Sequence, residues 1–110
     1  MNKDLPSCPL RITLTLMDNK WKALIIGEML FEGTLRFNEL RKALPNISQK
    51  ILTQNLRSLE DSGLVNRKIF AEVPPRVEYS LTDLGFSLKS IVDSMIVWGE
   101  NYATQVQRQN

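Results

Sequence analysis

Lys50, Thr53, Gln54 and Arg57 stand at a spacing that puts them on one side of a helix. At about 100° per residue they lie within an arc about 100° wide. The apolar residues fall on the opposite side: Ile51, Leu52, Leu56 and Leu59. Lysine and arginine pair with guanine or phosphate, glutamine makes two hydrogen bonds to adenine, and threonine bonds a base or contacts a thymine methyl group. The spacing predicts a helix, Ser48–Ser62, that packs through one face and can enter a DNA groove with the other.

The two ends of this predicted helix carry further polar residues. Ser48 can cap the helix, and Ser48 and Gln49 stand where exposed backbone N–H groups favour a phosphate. Asp61 has the wrong charge for DNA but lies at the far end of the helix. Asn55 falls near about 140°, inside the apolar arc, so we expect its amide to bond a neighbouring backbone group. The alternative for the whole helix is an ordinary solvated surface.

Cysteine and histidine content limits the chemistry available to the chain. Cys8 is the single cysteine and there is no histidine. An imidazole base, a Cys-His pair, an internal disulfide and a cysteine-based zinc site are therefore excluded. We expect a binding protein without cofactor or metal rather than an enzyme. Cys8 itself is either a semi-buried packing residue or a thiol that reacts with oxidants and electrophiles.

Two β-rich runs, Val65–Phe70 and Val77–Leu81, follow the candidate helix. The segment between them, Ala71–Arg76, contains two consecutive prolines and predicts a loop longer than a tight turn. Lys68 lies on the first strand, and Arg76 closes the loop, where it can reach a minor groove or a phosphate. The alternative is a hairpin that is merely solvated.

The remaining pattern is mainly helical. It consists of a short helix at Leu10–Met17, a helix capped by Asp18-Asn19 that stops at Gly33, a small strand at Thr34–Arg36, a short helix from Phe37 to Leu44 broken by Pro45, and a final helix capped by Thr82-Asp83. Two helices joined by a short turn and followed by a two-stranded ribbon describe a winged helix-turn-helix. The predicted fold is mainly α with a small β-hairpin wing. We predict one domain over 1–110, with N-terminal helices at 8–31, the helix-turn-helix at 36–62, the wing at 65–81 and a C-terminal helix at 82–105.

Charge is concentrated in the middle of the chain. Residues 36–76 hold eight basic and four acidic residues, a net charge of +4, whereas the other residues sum to −2. The middle segment is therefore the part suited to a polyanion, although an imbalance of this size can also arise by chance.

The last predicted helix carries more large apolar residues than a small core can cover. They are Ile91, Met95, Ile96, Trp98 and Tyr102. An exposed apolar stripe of that size needs a partner, which favours a dimer. The alternative is that the helix covers its own domain's core.

The first residues do not resemble a secretory signal, because Lys3, Asp4 and two prolines interrupt them. Apolar stretches stay far below the roughly 20 residues needed to span a bilayer. A lone thiol fits a reducing compartment. We expect a cytoplasmic protein without a membrane partner.

Several short motifs resemble the HxlR-type winged-helix regulators of bacteria, within the MarR-like superfamily. The motifs are Cys8-Pro9, Lys20-Trp21-Lys22, Leu35-Arg36-Phe37-Asn38-Glu39-Leu40-Arg41, Leu44-Pro45-Asn46-Ile47-Ser48-Gln49-Lys50, Gly63-Leu64-Val65, Val73-Pro74-Pro75-Arg76-Val77-Glu78-Tyr79, Leu81-Thr82 and Trp98-Gly99. Their order and spacing cover about residues 8–100. The Asp18-Asn19 pair departs from the glycine-containing turn usual before Lys-Trp in that family.

The resemblance implies a homodimeric transcription factor, with repression favoured, that binds a pseudo-palindromic operator in double-stranded DNA and is nucleoid-associated when bound. It implies major-groove contacts from the helix at Ser48–Ser62. Contacts to the DNA backbone are expected from Arg36, Ser48, Gln49, Lys68 and Arg76. The implied dimer interface joins the N-terminal segment to the last helix, through Leu10, Leu14, Leu88, Ile91, Met95, Trp98 and Tyr102.

A small molecule or an electrophile is a candidate effector of such a regulator. In several relatives the cysteine that matches Cys8 is a redox or electrophile sensor. The competing interpretation of the whole chain is a winged-helix module that binds another protein without specific DNA binding.

Overall fold

The computed structural model describes residues 4–109. Within this range the chain forms six helices and one antiparallel sheet of three strands. Their bounds are α1 Pro9–Leu16, α2 Lys20–Glu32, β1 Leu35–Arg36, α3 Phe37–Ala43, α4 Gln49–Asp61, β2 Val65–Phe70, β3 Arg76–Leu81, α5 Asp83–Phe86 and α6 Lys89–Gln109. The predicted fold class, mainly α with a β-hairpin wing, is confirmed.

The core lies where α2, α3 and α4 pack together over one side of the sheet. The fully buried side chains are Ile25, Ile26, Met29, Leu40, Leu52, Leu56, Leu59 and Val65. Each buried leucine or isoleucine contributes about 1.5–3 kcal/mol relative to an exposed one. Because Leu52, Leu56 and Leu59 share one face of α4, burying them fixes which side of this helix remains at the surface.

Side-chain caps mark where the helices begin. The Asn19 side chain accepts a hydrogen bond from the Lys22 backbone N–H (3.2 Å) at the start of α2. The Ser48 hydroxyl accepts one from the Ile51 N–H (3.1 Å) at α4. Each bond satisfies a backbone donor that has no partner within the helix, and such a cap contributes about 1 kcal/mol.

The turn between α3 and α4 is short and depends on Asn46. This residue has φ 74°, a left-handed conformation that asparagine tolerates better than most residues. The Ile47 N–H then donates to the Leu44 carbonyl (3.2 Å) and returns the chain toward the core. The turn sets the angle between the two helices of the helix-turn-helix.

The sheet has the strand order β1-β3-β2 with antiparallel pairing throughout. Val65 lies opposite Leu81 at the base of the hairpin, and Phe70 lies opposite Arg76 at its far end. Strand β3 thus begins at Arg76, one residue before the predicted start at Val77.

The prediction of one continuous helix from Thr82 is wrong, since a break at Ser87–Leu88 separates α5 from α6. The physical reason is a close backbone contact at Gly85. Gly85 lies so close to the backbone carbonyl of Leu64 that a Cβ there would collide with it, which keeps α5 next to this backbone. The Leu88 N–H then donates to the Gly85 carbonyl (3.1 Å), a tighter i→i+3 bond, before α6 begins.

Substitutions at two glycines test this contact. We expect Gly85→Ala to destabilise the protein by about 1–3 kcal/mol or more, because a Cβ there collides with the Leu64 carbonyl. The matched control is Gly27→Ala within α2, where a Cβ meets only Val92 at an ordinary 4.0 Å. That control should gain about 0.5–1 kcal/mol. Denaturant unfolding measures both, and equal stability of the two variants would contradict the proposed contact.

Candidate nucleic-acid interface

The outer face of α4 is polar and accessible. Lys50, Gln54 and Arg57 are exposed and Thr53 is half-buried. The inner face is in the core, with Leu52 and Leu59 fully buried and Leu56 2% exposed: all three pack inward. The structure therefore brings the four side chains predicted to contact bases onto one accessible surface.

At the start of α4, both oxygen atoms of Ser48 accept hydrogen bonds from backbone N–H groups of the helix. The Ser48 hydroxyl is occupied by the Ile51 N–H, and the Ser48 carbonyl accepts from the Leu52 N–H (3.0 Å). Gln49 is exposed beside it. A phosphate approaching this end would meet the backbone N–H groups of Gln49 and Lys50, which lie in the first turn before the N–H groups that Ser48 accepts from.

Arg36 lies at the junction of β1 and α3. Its backbone N–H donates to the Glu39 carboxylate (2.8 Å), which fixes the first turn of α3. The Arg36 side chain is exposed. Arg36 and Arg76 both line an open groove of about 800 Å³ between the start of α3 and the hairpin loop. Two cations predicted to contact phosphates are thus brought to one groove.

Arg76 is held by neighbours within the hairpin. Its guanidinium lies 3.3 Å from a carboxylate oxygen of Glu72 and 3.3 Å from one of Glu78. The guanidinium carbon is 4.0 Å from the centre of the Phe70 ring, a cation–π contact. Arg76 is therefore ordered at the end of the wing and half-buried, with its charge shared by two carboxylates.

Lys68 is the exposed cation of the hairpin among the predicted contact residues. It lies on β2 opposite Glu78, and its amine is 5.0 Å from the Phe70 ring centre. The side chain is long and solvated, so it can leave this contact at little cost.

A second set of charges ties the wing to α4. The Arg67 guanidinium on β2 lies 3.4 Å from a carboxylate oxygen of Glu60 near the end of α4. Tyr79 on β3 lies close to both. Burial raises the pKa of the Tyr79 phenol above 10.0; Arg67 and Arg57 act in the opposite direction, and Glu60 adds to the rise. The sheet and the C-terminal half of α4 are thus in electrostatic contact.

Comparison with known proteins identifies the architecture. A sequence model described as HxlR-like helix-turn-helix matches residues 16–107. The chain belongs to this family.

Its relatives are regulators of transcription. The uncharacterised HTH-type transcriptional regulators YkvN and YdeP of Bacillus subtilis (strain 168) are 48% and 40% identical to it over 99 and 105 residues. These alignments cover 90% and 96% of this chain and 83% and 81% of the relatives. Among solved structures, the redox regulator HypR in its reduced form superposes with a TM-score of 0.85 at 42% identity, covering 92% of this chain and 99% of HypR.

This HxlR-like chain is accordingly a DNA-binding winged helix-turn-helix regulator of transcription rather than an enzyme. The family resemblance recognised in the sequence is confirmed. Within residues 4–109, no helix is both long enough and apolar enough to cross a membrane.

Cys8 lies immediately before α1 of the HxlR-like chain. It is exposed and occupies the N-cap position, where its thiol makes no capping hydrogen bond. Pro9 follows at the first helical position, as is common at helix starts. The structure places this thiol on the surface rather than among packed side chains.

The predicted interface residues lie on α1, on α6 and in the turn before α6. Leu10 and Leu14 are 67% and 57% exposed. On α6, Trp98 stacks on Tyr102 with ring centres 5.3 Å apart, and both rings are largely exposed, as is Met95. Ile91 is at the margin of exposure. Leu88 differs from the others because it is half-buried and packs against its own core.

Three polar contacts around α4 and the wing were not predicted from the sequence. They are the pairing of Arg76 with two carboxylates, the Arg67–Glu60 pair, and a hydrogen bond between Asn19 and Asn55. The alternation of side chains along the hairpin could have suggested that Glu78 faces a cation. Nothing in the local sequence indicates the other two.

Proposed function

We propose that this chain is a transcriptional repressor that binds a pseudo-palindromic operator as a homodimer. The observation that carries the proposal is the α4 surface, where four base-reading side chain types share one accessible face above a row of buried leucines. Occupancy of the operator would block access to the promoter. A solvated helix without DNA contacts would not need this combination of cations and amides on one accessible face.

The proposed contacts divide into two classes. Base contacts are assigned to Lys50, Thr53, Gln54 and Arg57, of which the half-buried Thr53 can reach only a base that the helix approaches closely. Backbone contacts are assigned to Arg36, Ser48, Gln49, Lys68 and Arg76. Because Arg76 is paired with Glu72 and Glu78, a phosphate would have to compete with those carboxylates. Lys68 is therefore the stronger candidate on the wing.

Exposed apolar surface supports the proposed dimer. Met95, Trp98 and Tyr102 give α6 an apolar stripe that is more than half exposed. Leu10 and Leu14 give α1 a second one. A two-fold axis through these helices would present two copies of α4 about 34 Å apart, one turn of DNA.

Cys8 supports a second part of the proposal, a response to oxidants or electrophiles. The thiol is exposed, and the structural neighbour HypR is described as a redox regulator. An oxidant would take two electrons from two Cys8 thiols, which release two protons and form one intermolecular disulfide. A lone exposed thiol also fits the proposed location in the reducing cytoplasm of a bacterium, on the nucleoid when DNA is bound.

Selection from random-sequence DNA tests the DNA-binding assignment. We expect enrichment of a palindrome whose half-sites are about one turn apart. Lys50→Ala and Gln54→Ala should each lose about 1–3 kcal/mol of binding to it, because a two-bond base contact disappears. Lys68→Ala and Arg76→Ala should weaken all sequences more evenly and flatten the salt dependence.

The matched control is Gln107→Ala, at an exposed glutamine on the far end of α6, which should bind like the unmodified protein. Unchanged operator binding in Lys50→Ala, Gln54→Ala and Arg76→Ala would refute the assignment. No enriched sequence, together with affinity that is insensitive to salt, would instead favour the protein-binding module.

Sedimentation tests the dimer. The unmodified chain should sediment at twice the mass of one chain, and Met95→Glu should sediment as a monomer, because a charge cannot be buried unpaired in an apolar interface. The control is Ile69→Glu on the wing, where the side chain is 59% exposed against 53% for Met95. A monomeric unmodified protein, or a Met95→Glu variant that stays dimeric, would contradict the proposed interface.

Diamide treatment tests the thiol. Operator binding by the unmodified protein should change on oxidation and recover with a reducing agent, and a non-reducing gel should show a cross-linked dimer. Cys8→Ser should bind the operator equally before and after treatment. If oxidation leaves the unmodified protein's binding unchanged, Cys8 is not a sensor of oxidants.

A further inference from the structure

Asn55 is a polar side chain in an apolar position. It lies on the inner side of α4 and is 7% exposed, the same environment as the leucines that anchor the helix. Its amide N–H donates to the Ile51 carbonyl (2.8 Å), which confirms the bond to neighbouring backbone expected from the sequence. Its carbonyl oxygen accepts from the Asn19 side-chain amide at 2.9 Å, across 36 residues of chain.

Two further hydrogen bonds hold the Asn19 side chain in place. Its carbonyl oxygen caps α2 through the Lys22 N–H, and its amide also contacts an Asp18 carboxylate oxygen (3.3 Å). Asp18 in turn pairs with the buried amine of Lys22 (2.7 Å). The donor that reaches Asn55 is therefore fixed in position by the turn before α2, and not by α4.

We infer that Asn19 and Asn55 set the rotation of α4 about its own axis, and are positioning residues for base recognition. The leucine face fixes which side of α4 packs inward, but apolar contact has no direction. A hydrogen bond is directional and weakens steeply when it is bent. The Asn19–Asn55 bond therefore fixes the angle at which Lys50, Thr53, Gln54 and Arg57 face outward.

The size of this effect can be judged from helix geometry. Side chains end about 5–6 Å from a helix axis. A rotation of about 20° moves their tips by about 2 Å, which is more than a two-bond contact to a base tolerates. All four outward side chains turn through the same angle, and Gln54 is the one that lines the same cleft as Asn19 and Asn55.

This positioning role rests on the proposed function, in which α4 contacts bases. It predicts that loss of the Asn19–Asn55 bond lowers operator specificity without lowering the stability of the fold. Asn55→Leu replaces a buried amide with an apolar side chain of similar size, and the exposed Asn19 amide that loses this partner keeps its Asp18 contact, so the free energy of unfolding should change little. Asn19→Ser keeps a good helix cap but is too short to reach Asn55. Both variants should lower the ratio of operator affinity to non-specific affinity about ten-fold.

The test compares both variants, the double variant and the control Asn66→Ser on β2 in operator and random-DNA titrations, with thermal unfolding in parallel. The double variant should lose no more specificity than either single one, since both remove the same bond. Asn66→Ser should keep the full ratio. Loss of stability without loss of specificity would reduce the pair to a structural role and overturn the inference.

The outcomes also separate this inference from the proposed function. If the unmodified protein discriminates its operator and Asn19→Ser and Asn55→Leu do so equally well, the inference is wrong and the function stands. If the unmodified protein shows no sequence preference, the proposed function fails, and the inference fails with it.

Discussion

Leu52, Leu56 and Leu59 leave water together when α4 packs against α2 and β2, and the rest of the molecule is arranged around that burial. The three side chains occupy one face because of the helical repeat, so the opposite face must be solvated. The four side chains assigned to base contacts stand on that opposite face. The leucines decide which side of α4 is solvated, and we infer that the Asn19–Asn55 bond sets the angle at which this side faces outward.

The wing is anchored by buried apolar residues at its base, and charged contacts hold its outer part. A two-stranded hairpin is marginal alone, and this one is attached to the body through Val65 and Leu81 at its base and through the Arg67–Glu60 pair. Farther out, Arg76 is held by its carboxylates and by Phe70. These contacts order the loop in the absence of DNA. They also reduce the net positive charge of the wing, which leaves α4 as the surface where charge and hydrogen-bonding groups are least committed.

Sequence periodicity and capping residues predicted the order of elements because those signals are local. Helix α4 and its cap at Ser48 follow from a stretch of fifteen residues. The break after α5 could not be predicted, because Leu84 and Leu88 continue a helical spacing through it. What decides the break is the approach of Gly85 to the Leu64 backbone, a contact between segments that only the folded chain brings together. The partners of Arg67 and Asn19 were hidden for the same reason.

The buried amide of Asn55 carries a free-energy cost for folding and, as we infer, positions α4 for base recognition. Burying an amide without partners costs about 1–3 kcal/mol, so an apolar residue would be the simpler choice at this position. Here the amide is satisfied, and one of its partners belongs to the turn that joins α1 to α2. Helix α4 is thereby tied to the turn that follows α1.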